Sequence, residues 1–269
     1  MPRLYSNPRL APGGSRLLVE AGDLWIQDLS RATFTRVTSR ESTVAGGGFP
    51  VWVPDGRVVF RSPTGLRVLS VGTGRPSEAI AGTTASDYPG SVSGDGERLV
   101  FVRLSPDTSG DIFVASLRGD PDVKPLLKTP SYEGSGRLSP EGRWIAYSSN
   151  DSGRMEVFIA PFPQVDRKTQ VSTEGGTQPV WNPNGQEIFY RNSTKMMSVT
   201  VATTPDLRLS APHLLFDLPY AFGAGITIPD YDVSPDGQRF VMVKDESGSG
   251  RLNLVINWSE ELNRLVPTK

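Results

Sequence analysis

Six segments of this chain repeat one pattern: a short apolar strand, a tight turn closed by glycine, and a second strand with apolar residues in alternation. They are NPRLAPGGSRLLV (7–19), FPVWVPDGRVVF (49–60), PGSVSGDGERLVF (89–101), SGRLSPEGRWIAY (135–147), QPVWNPNGQEIFY (178–190) and DYDVSPDGQRFVM (230–242). The second turn glycine anchors each unit, at Gly14, Gly56, Gly96, Gly142, Gly185 and Gly237, with spacings of 42, 40, 46, 43 and 52 residues. Four strands with their turns need about 40–50 residues, so self-similarity at this period predicts blades arranged around a ring.

The columns of the repeat have physical reasons. Four residues before the anchor stand Leu10, Trp52, Val92, Leu138, Trp181 and Val233, all apolar. Three and five residues after it come pairs such as Leu17 and Val19 or Ile188 and Tyr190, the period-two signature of a strand with one buried face. The second unit is one residue short, so Val58 and Phe60 take those places. Between the strands, Pro-Asp-Gly and its variants make the turn: proline presets φ and glycine takes φ > 0. A third strand follows in most units, from DLWIQDL (23–29) to LNLVINW (252–258), and a weaker fourth in all but the last. The pattern predicts an all-β, six-bladed propeller of four-stranded antiparallel blades in one domain spanning 1–269. The last unit lacks its fourth strand, because Ser259 to Leu265 reads as a capped helical turn. The expected replacement is Arg3-Leu4-Tyr5, an N-terminal strand that closes the ring and covers an open edge. Trp52 and Trp181 are expected in the core between blades.

Composition narrows the function. With a net charge of −1 and no run of Lys or Arg, nucleic acid binding is not expected. There is no cysteine, which excludes disulfides and thiolate metal sites, and no stretch approaches 18 apolar residues, so no membrane insertion by this chain is expected. The single histidine, His213, sits at a blade edge with no Gly-x-Ser-x-Gly elbow to partner it. One imidazole cannot build a histidine metal cluster, so neither a metal nor a cofactor is expected.

The turns, above all Ser234-Pro235-Asp236-Gly237, with near matches at Pro54-Asp55-Gly56 and Ser139-Pro140-Glu141-Gly142, resemble the PD40 (TolB-like, WD40-like) repeat. The runs SNDSGRMEVFIAPFP (149–163), STEGGTQPVWNPNGQEIFYR (172–191) and INWSEELNRLVPTK (256–269) are similar to the C-terminal propeller of bacterial receptor-type serine/threonine kinases and TolB-related proteins. The resemblance implies a non-catalytic, monomeric sensor or interaction module that binds a protein, peptide or glycan, outside the cytoplasm if its host is a membrane-anchored kinase. No Gly-rich loop, His-Arg-Asp or Asp-Phe-Gly of a kinase is present. The alternative is the propeller of an enzyme: the gate of a prolyl-oligopeptidase-like peptidase, against which the chain's stop at Lys269 weighs, or a divergent lyase or lactonase.

In a propeller the first strand of each blade lines the channel. The candidate ligand-binding residues at its mouth are therefore Asn7, Arg9, Tyr88, Glu133, Arg137, Gln178, Asp230, Tyr231 and Asp232, convergent polar groups with aromatic surface beside them. The paired carboxylates Asp230 and Asp232, with Asp87 and Glu133 on equivalent loops, have the chemistry for Ca²⁺ or acid–base work. Without an Asp-x-Asp-x-Asp loop they read as solvated channel residues.

Overall fold

The computed structural model describes residues 5–38, 48–119, 122–217, 227–244 and 251–255. They form six antiparallel sheets. The first blade is β1 (Ser6–Leu10), β2 (Arg16–Glu20), β3 (Leu24–Asp28) and β4 (Thr33–Arg36). The second is β5 (Val51–Trp52), β6 (Arg57–Ser62), β7 (Gly65–Ser70) and β8 (Glu78–Ala79). The third runs through β9 (Asp87–Val92), β10 (Arg98–Arg103), β11 (Asp111–Ser116) and β12 (Lys124–Leu127). The fourth holds β13 (Glu133–Leu138), β14 (Trp144–Ser149), β15 (Glu156–Pro161) and β16 (Thr169–Gln170). In the fifth, β17 (Thr177–Trp181), β18 (Glu187–Asn192) and β19 (Lys195–Ala202) are followed by two short strands on one edge, β20 (Arg208–Leu209) and β21 (His213–Asp217). The sixth sheet is β22 (Tyr231–Val233), β23 (Phe240–Lys244) and β24 (Arg251–Val255).

The expectation of six four-stranded blades is thus corrected to five, plus a sixth sheet of three strands among the described residues. The helical turn at 259–265 and most of Arg3-Leu4-Tyr5 lie outside the described residues. Tyr5 belongs to no strand; it packs with Leu17, Val19 and Val241, between the first blade and the sixth sheet.

The repeat turns are alike in detail. All six anchor glycines have left-handed φ, from 69° to 88°, and each donates its N–H to the carbonyl three residues back at 2.7–2.9 Å. In the fullest motif the Ser234 hydroxyl donates to Asp236 Oδ1 and accepts from the Arg239 N–H at 3.0 Å. Ser-Pro-Asp-Gly therefore satisfies its own turn.

Each sheet is apolar on both faces, and the cores lie between sheets. Six buried clusters join consecutive sheets, and the last returns from Val241 of β23 to Leu17 and Val19 of β2. Trp52 and Trp181, at 9% and 6% exposure, sit in two of them as the repeat alignment requires. Their burial at about 25 cal/mol per Å² makes the inter-blade seams the main source of stability.

Candidate functional site

The inner strands are kinked at one recurrent place. Pairing slips in β1 between Ser6 and Arg9, in β13 between Gly134 and Arg137, and in β17 between Thr177 and Val180, and β9 carries an extra residue at Gly90. Asn7, Phe49, Ser135 and Gln178, all seven residues before their anchor, have left-handed φ of 44° to 58°. For a non-glycine residue this costs about 1–2 kcal/mol. Bulges bend a strand and re-aim its side chains. Here they bend the inner strands just before the residues five and four ahead of the anchor.

Those residues lace the inner ring. Asp232 Oδ2 accepts the Leu10 N–H at 2.8 Å, joining the sixth sheet to the first blade. Ser91 Oγ accepts the Leu138 N–H at 3.0 Å between the third and fourth. The Trp52 indole donates to the Arg9 carbonyl at 3.0 Å, and the Trp181 indole to the Arg137 carbonyl at 3.1 Å. Arg9 is buried and committed: Nη1 donates to the carbonyls of Pro8 (2.7 Å) and Tyr231 (3.2 Å), and Nη2 to Pro229 (2.5 Å). Burial pushes its pKa down, opposed by Asp232 and Asp230. Arg9 and Asp232 thus latch the first blade to the sixth sheet.

Arg137 behaves differently. Burial pushes its guanidinium down to about 9, with Arg9 adding repulsion and Asp232 opposing. These electrostatic partners belong to the first blade and the sixth sheet. Its Nε and Nη2 are buried and have no hydrogen-bond partner among the described residues. Burial likewise raises the Asp232 carboxyl, against Arg9 and Arg137.

The remaining candidates divide. Tyr88 is half-exposed, with Phe49 edge-on at 5.1 Å and the Arg61 guanidinium 4.4 Å above its ring. Asp230 is also half-buried beside the channel. Five candidates expected to face a ligand are buried instead, Arg9 among them. Glu133 accepts from Thr129 N–H and Oγ1, and burial raises its pKa. Asp87 does the same for Thr84 while Arg103 grips it, so these carboxylates tie down loops rather than await a cation. Asn7 donates to Glu20 at 3.0 Å. Gln178 is fully enclosed and its carbonyl accepts the Tyr231 hydroxyl at 2.9 Å, which places Tyr231 in the core. Thr227, just before β22, carries its loop across to the fourth blade, where its carbonyl accepts the Ser135 N–H at 2.8 Å. Burial raises the pKa of the nearby Tyr132 hydroxyl to about 12. His213 is exposed on β21, at the edge expected.

No family model and no curated protein matches the sequence. Solved structures do match the chain. A putative TolB from Agrobacterium tumefaciens superposes with a TM-score of 0.69 at 18% identity, over 88% of each chain. The chain has the TolB-like β-propeller fold. TolB from Acinetobacter baumannii gives a TM-score of 0.60 at 20% identity over 78% of this chain and 55% of that one. An oligogalacturonate lyase in complex with manganese gives 0.60 at 14% over 89% and 85%. At such identities the likeness shows fold alone.

Two features of this TolB-like propeller were missed in the sequence columns. Arg61 and Arg191 follow the alternating strands of the second and fifth blades at equivalent places, one step past the positions the pattern uses. Arg191 is fully buried on β18 and acts electrostatically on Tyr231. Arg16, Arg31, Arg36 and Arg75 line a cavity of about 630 Å³ on the rim between the first and second blades, opposite a single aspartate, Asp28. Arg31, Arg36 and Arg75 lie in the fourth strand and in turns, where no motif marks them, and Arg16 opens β2.

The inner wall also repeats every three sheets. Leu10, Trp52 and Val92 are followed by Leu138, Trp181 and Val233; Arg9, Val51 and Ser91 by Arg137, Val180 and Asp232. Arg9 and Arg137 therefore hold equivalent places in two halves of the ring.

Proposed function

We propose that this chain is a non-catalytic binding propeller that takes a protein, peptide or glycan ligand at its channel mouth, as the sensor or interaction module of a larger bacterial protein such as a receptor-type serine/threonine kinase. The observation that carries the reading is Arg137 on an inner strand, its Nε and Nη2 unpartnered among the described residues, with Asp232 of another sheet acting on it and the Phe49–Tyr88–Arg61 stack on the second and third blades. Convergent polar groups with an aromatic neighbour in a concave, rigid setting are the general signature of a binding site. The lyase neighbour supplies the second reading, an enzymatic propeller; a chain with one histidine, exposed at a blade edge, does not favour it.

A peptide and glycan array probed with the intact chain and with Tyr88→Ala tests the proposal. Tyr88 is half-exposed, so its truncation leaves the fold standing. Hits that weaken with Tyr88→Ala support the mouth, whereas undiminished hits move the site to the rim.

A further inference from the structure

We propose that the channel selects a carboxylate, received side-on by the Nε and Nη2 edge of Arg137. The proposal rests on the mouth being the binding site and names the chemistry that site recognises.

The molecule shows what this edge does when it is satisfied. Arg103 offers the same two atoms to Asp87, Nε to Oδ1 and Nη2 to Oδ2, both at 2.7 Å. The planar fork matches a carboxylate in two parallel bonds. Arg137 presents an identical edge, buried and unpartnered among the described residues. A guanidinium keeps its charge, so removing it from water without an acceptor costs several kcal/mol. Its counterpart Arg9 offsets much of that cost by donating from both Nη atoms to Tyr231 and Pro229 of the preceding sheet, so that its Nε alone lacks an acceptor among the described residues. The corresponding residues before Arg137 are Gly90 and Tyr88, and no carbonyl there takes its guanidinium. At that junction the backbones run close: a Cβ on Gly90 would lie 2.8 Å from the Gly136 carbonyl oxygen.

Charge selects the same ligand. Arg9 and Asp232 act on Arg137 with opposite signs. Those two charges offset each other, which leaves the charge of Arg137 itself for a monoanion to balance. A dianionic phosphate would overshoot and meet Asp232. Asp232 does not fill the place itself: its Oδ2 holds the Leu10 N–H, and Nε and Nη2 of Arg137 have no partner among the described residues. Tyr88, on the blade next to Arg137, offers a half-exposed ring to the rest of the ligand.

The test follows arginine Nε–H resonances by ¹⁵N NMR, with Arg137→Lys assigning the Arg137 signal. The intact chain is titrated at constant ionic strength with N-acetylglycine, a peptide-like carboxylate, with glucuronate, a sugar carboxylate, and with the neutral N-acetylglycinamide. We expect a saturable shift of the Arg137 signal by at least one acid, binding about tenfold or more weaker for the amide, and an unmoved Arg9 signal. The stronger acid identifies the source of the carboxylate. Arg137→Gln must lose the response while keeping its melting temperature; if it unfolds, Arg137→Lys, which keeps the charge without the fork, must weaken it. No saturable shift with either acid, or an equal response to the amide, overturns the proposal. Array ligands that bind at the mouth without a carboxylate defeat this inference and leave the binding function intact; a carboxylate shift without any array hit does the reverse.

Discussion

The first and fourth blades use the same two residues, Arg-Leu, at the same point of the inner strand, and to different ends. In both, the tryptophan of the following blade donates to the arginine carbonyl, at 3.0 Å and 3.1 Å, so the backbone arrangement is common. The guanidiniums diverge. Arg9 is spent on three carbonyls at the seam where the chain's beginning meets its last sheet. Arg137 lies within one continuous run of blades and has no hydrogen-bond partner for Nε and Nη2 among the described residues. A repeat fixes where a side chain starts; the neighbouring sheet decides what it does.

The largest expected effect tests what the two regions share. Trp52→Ala and Trp181→Ala should each cost about 3–5 kcal/mol, through lost contacts and a cavity. Urea denaturation should give similar values for both, and a large disparity would break the equivalence of the seams. Next comes the junction before Arg137. Gly90→Ala should cost about 1–3 kcal/mol, because its methyl meets backbone oxygens that cannot give way easily. A neutral Gly90→Ala would mean the third and fourth blades are less tightly apposed than the second prediction requires. The smallest effect concerns the latch acid. Asn at 232 keeps an acceptor for the Leu10 N–H, so Asp232→Asn should change stability by about 1 kcal/mol or less. Burial raises the Asp232 pKa, so the folded state binds its proton more tightly than the unfolded chain. Stability therefore falls as pH rises from the unfolded carboxyl's range through the folded value, and Asp232→Asn should flatten that slope.

The blades were legible because turn chemistry and alternation are local. Six anchor glycines and the column containing Trp52 and Trp181 fixed the sheets and their seams without any long-range contact. The closing strand expected at Arg3-Leu4-Tyr5 has no repeat of its own to mark it, and Tyr5, its one described residue, belongs to no strand. The site was half legible. Arg137, Asp232 and Tyr88 were found by counting back from the anchors, yet the same count included Glu133, Gln178 and Tyr231, which are buried. Polar residues beside a channel also build its bulges and loops, and sequence spacing does not separate a carboxylate bonded to Thr129 from one facing solvent. Arg61 and Arg191 escaped because they stand one residue beyond the alternating columns, at a place the pattern leaves unspecified.

The central claim is that Arg9 is a structural latch and Arg137 a charge held for something else. Urea unfolding of Arg9→Met and Arg137→Met, side by side, tests it most directly. Methionine keeps much of the side-chain volume while removing the charge. Arg9→Met strands the carbonyls of Pro8, Pro229 and Tyr231 and should lose about 2–4 kcal/mol. Arg137→Met removes an uncompensated buried charge and should be neutral or stabilising, within about 1 kcal/mol of the parent or above it. Equal losses in the two variants would contradict the account.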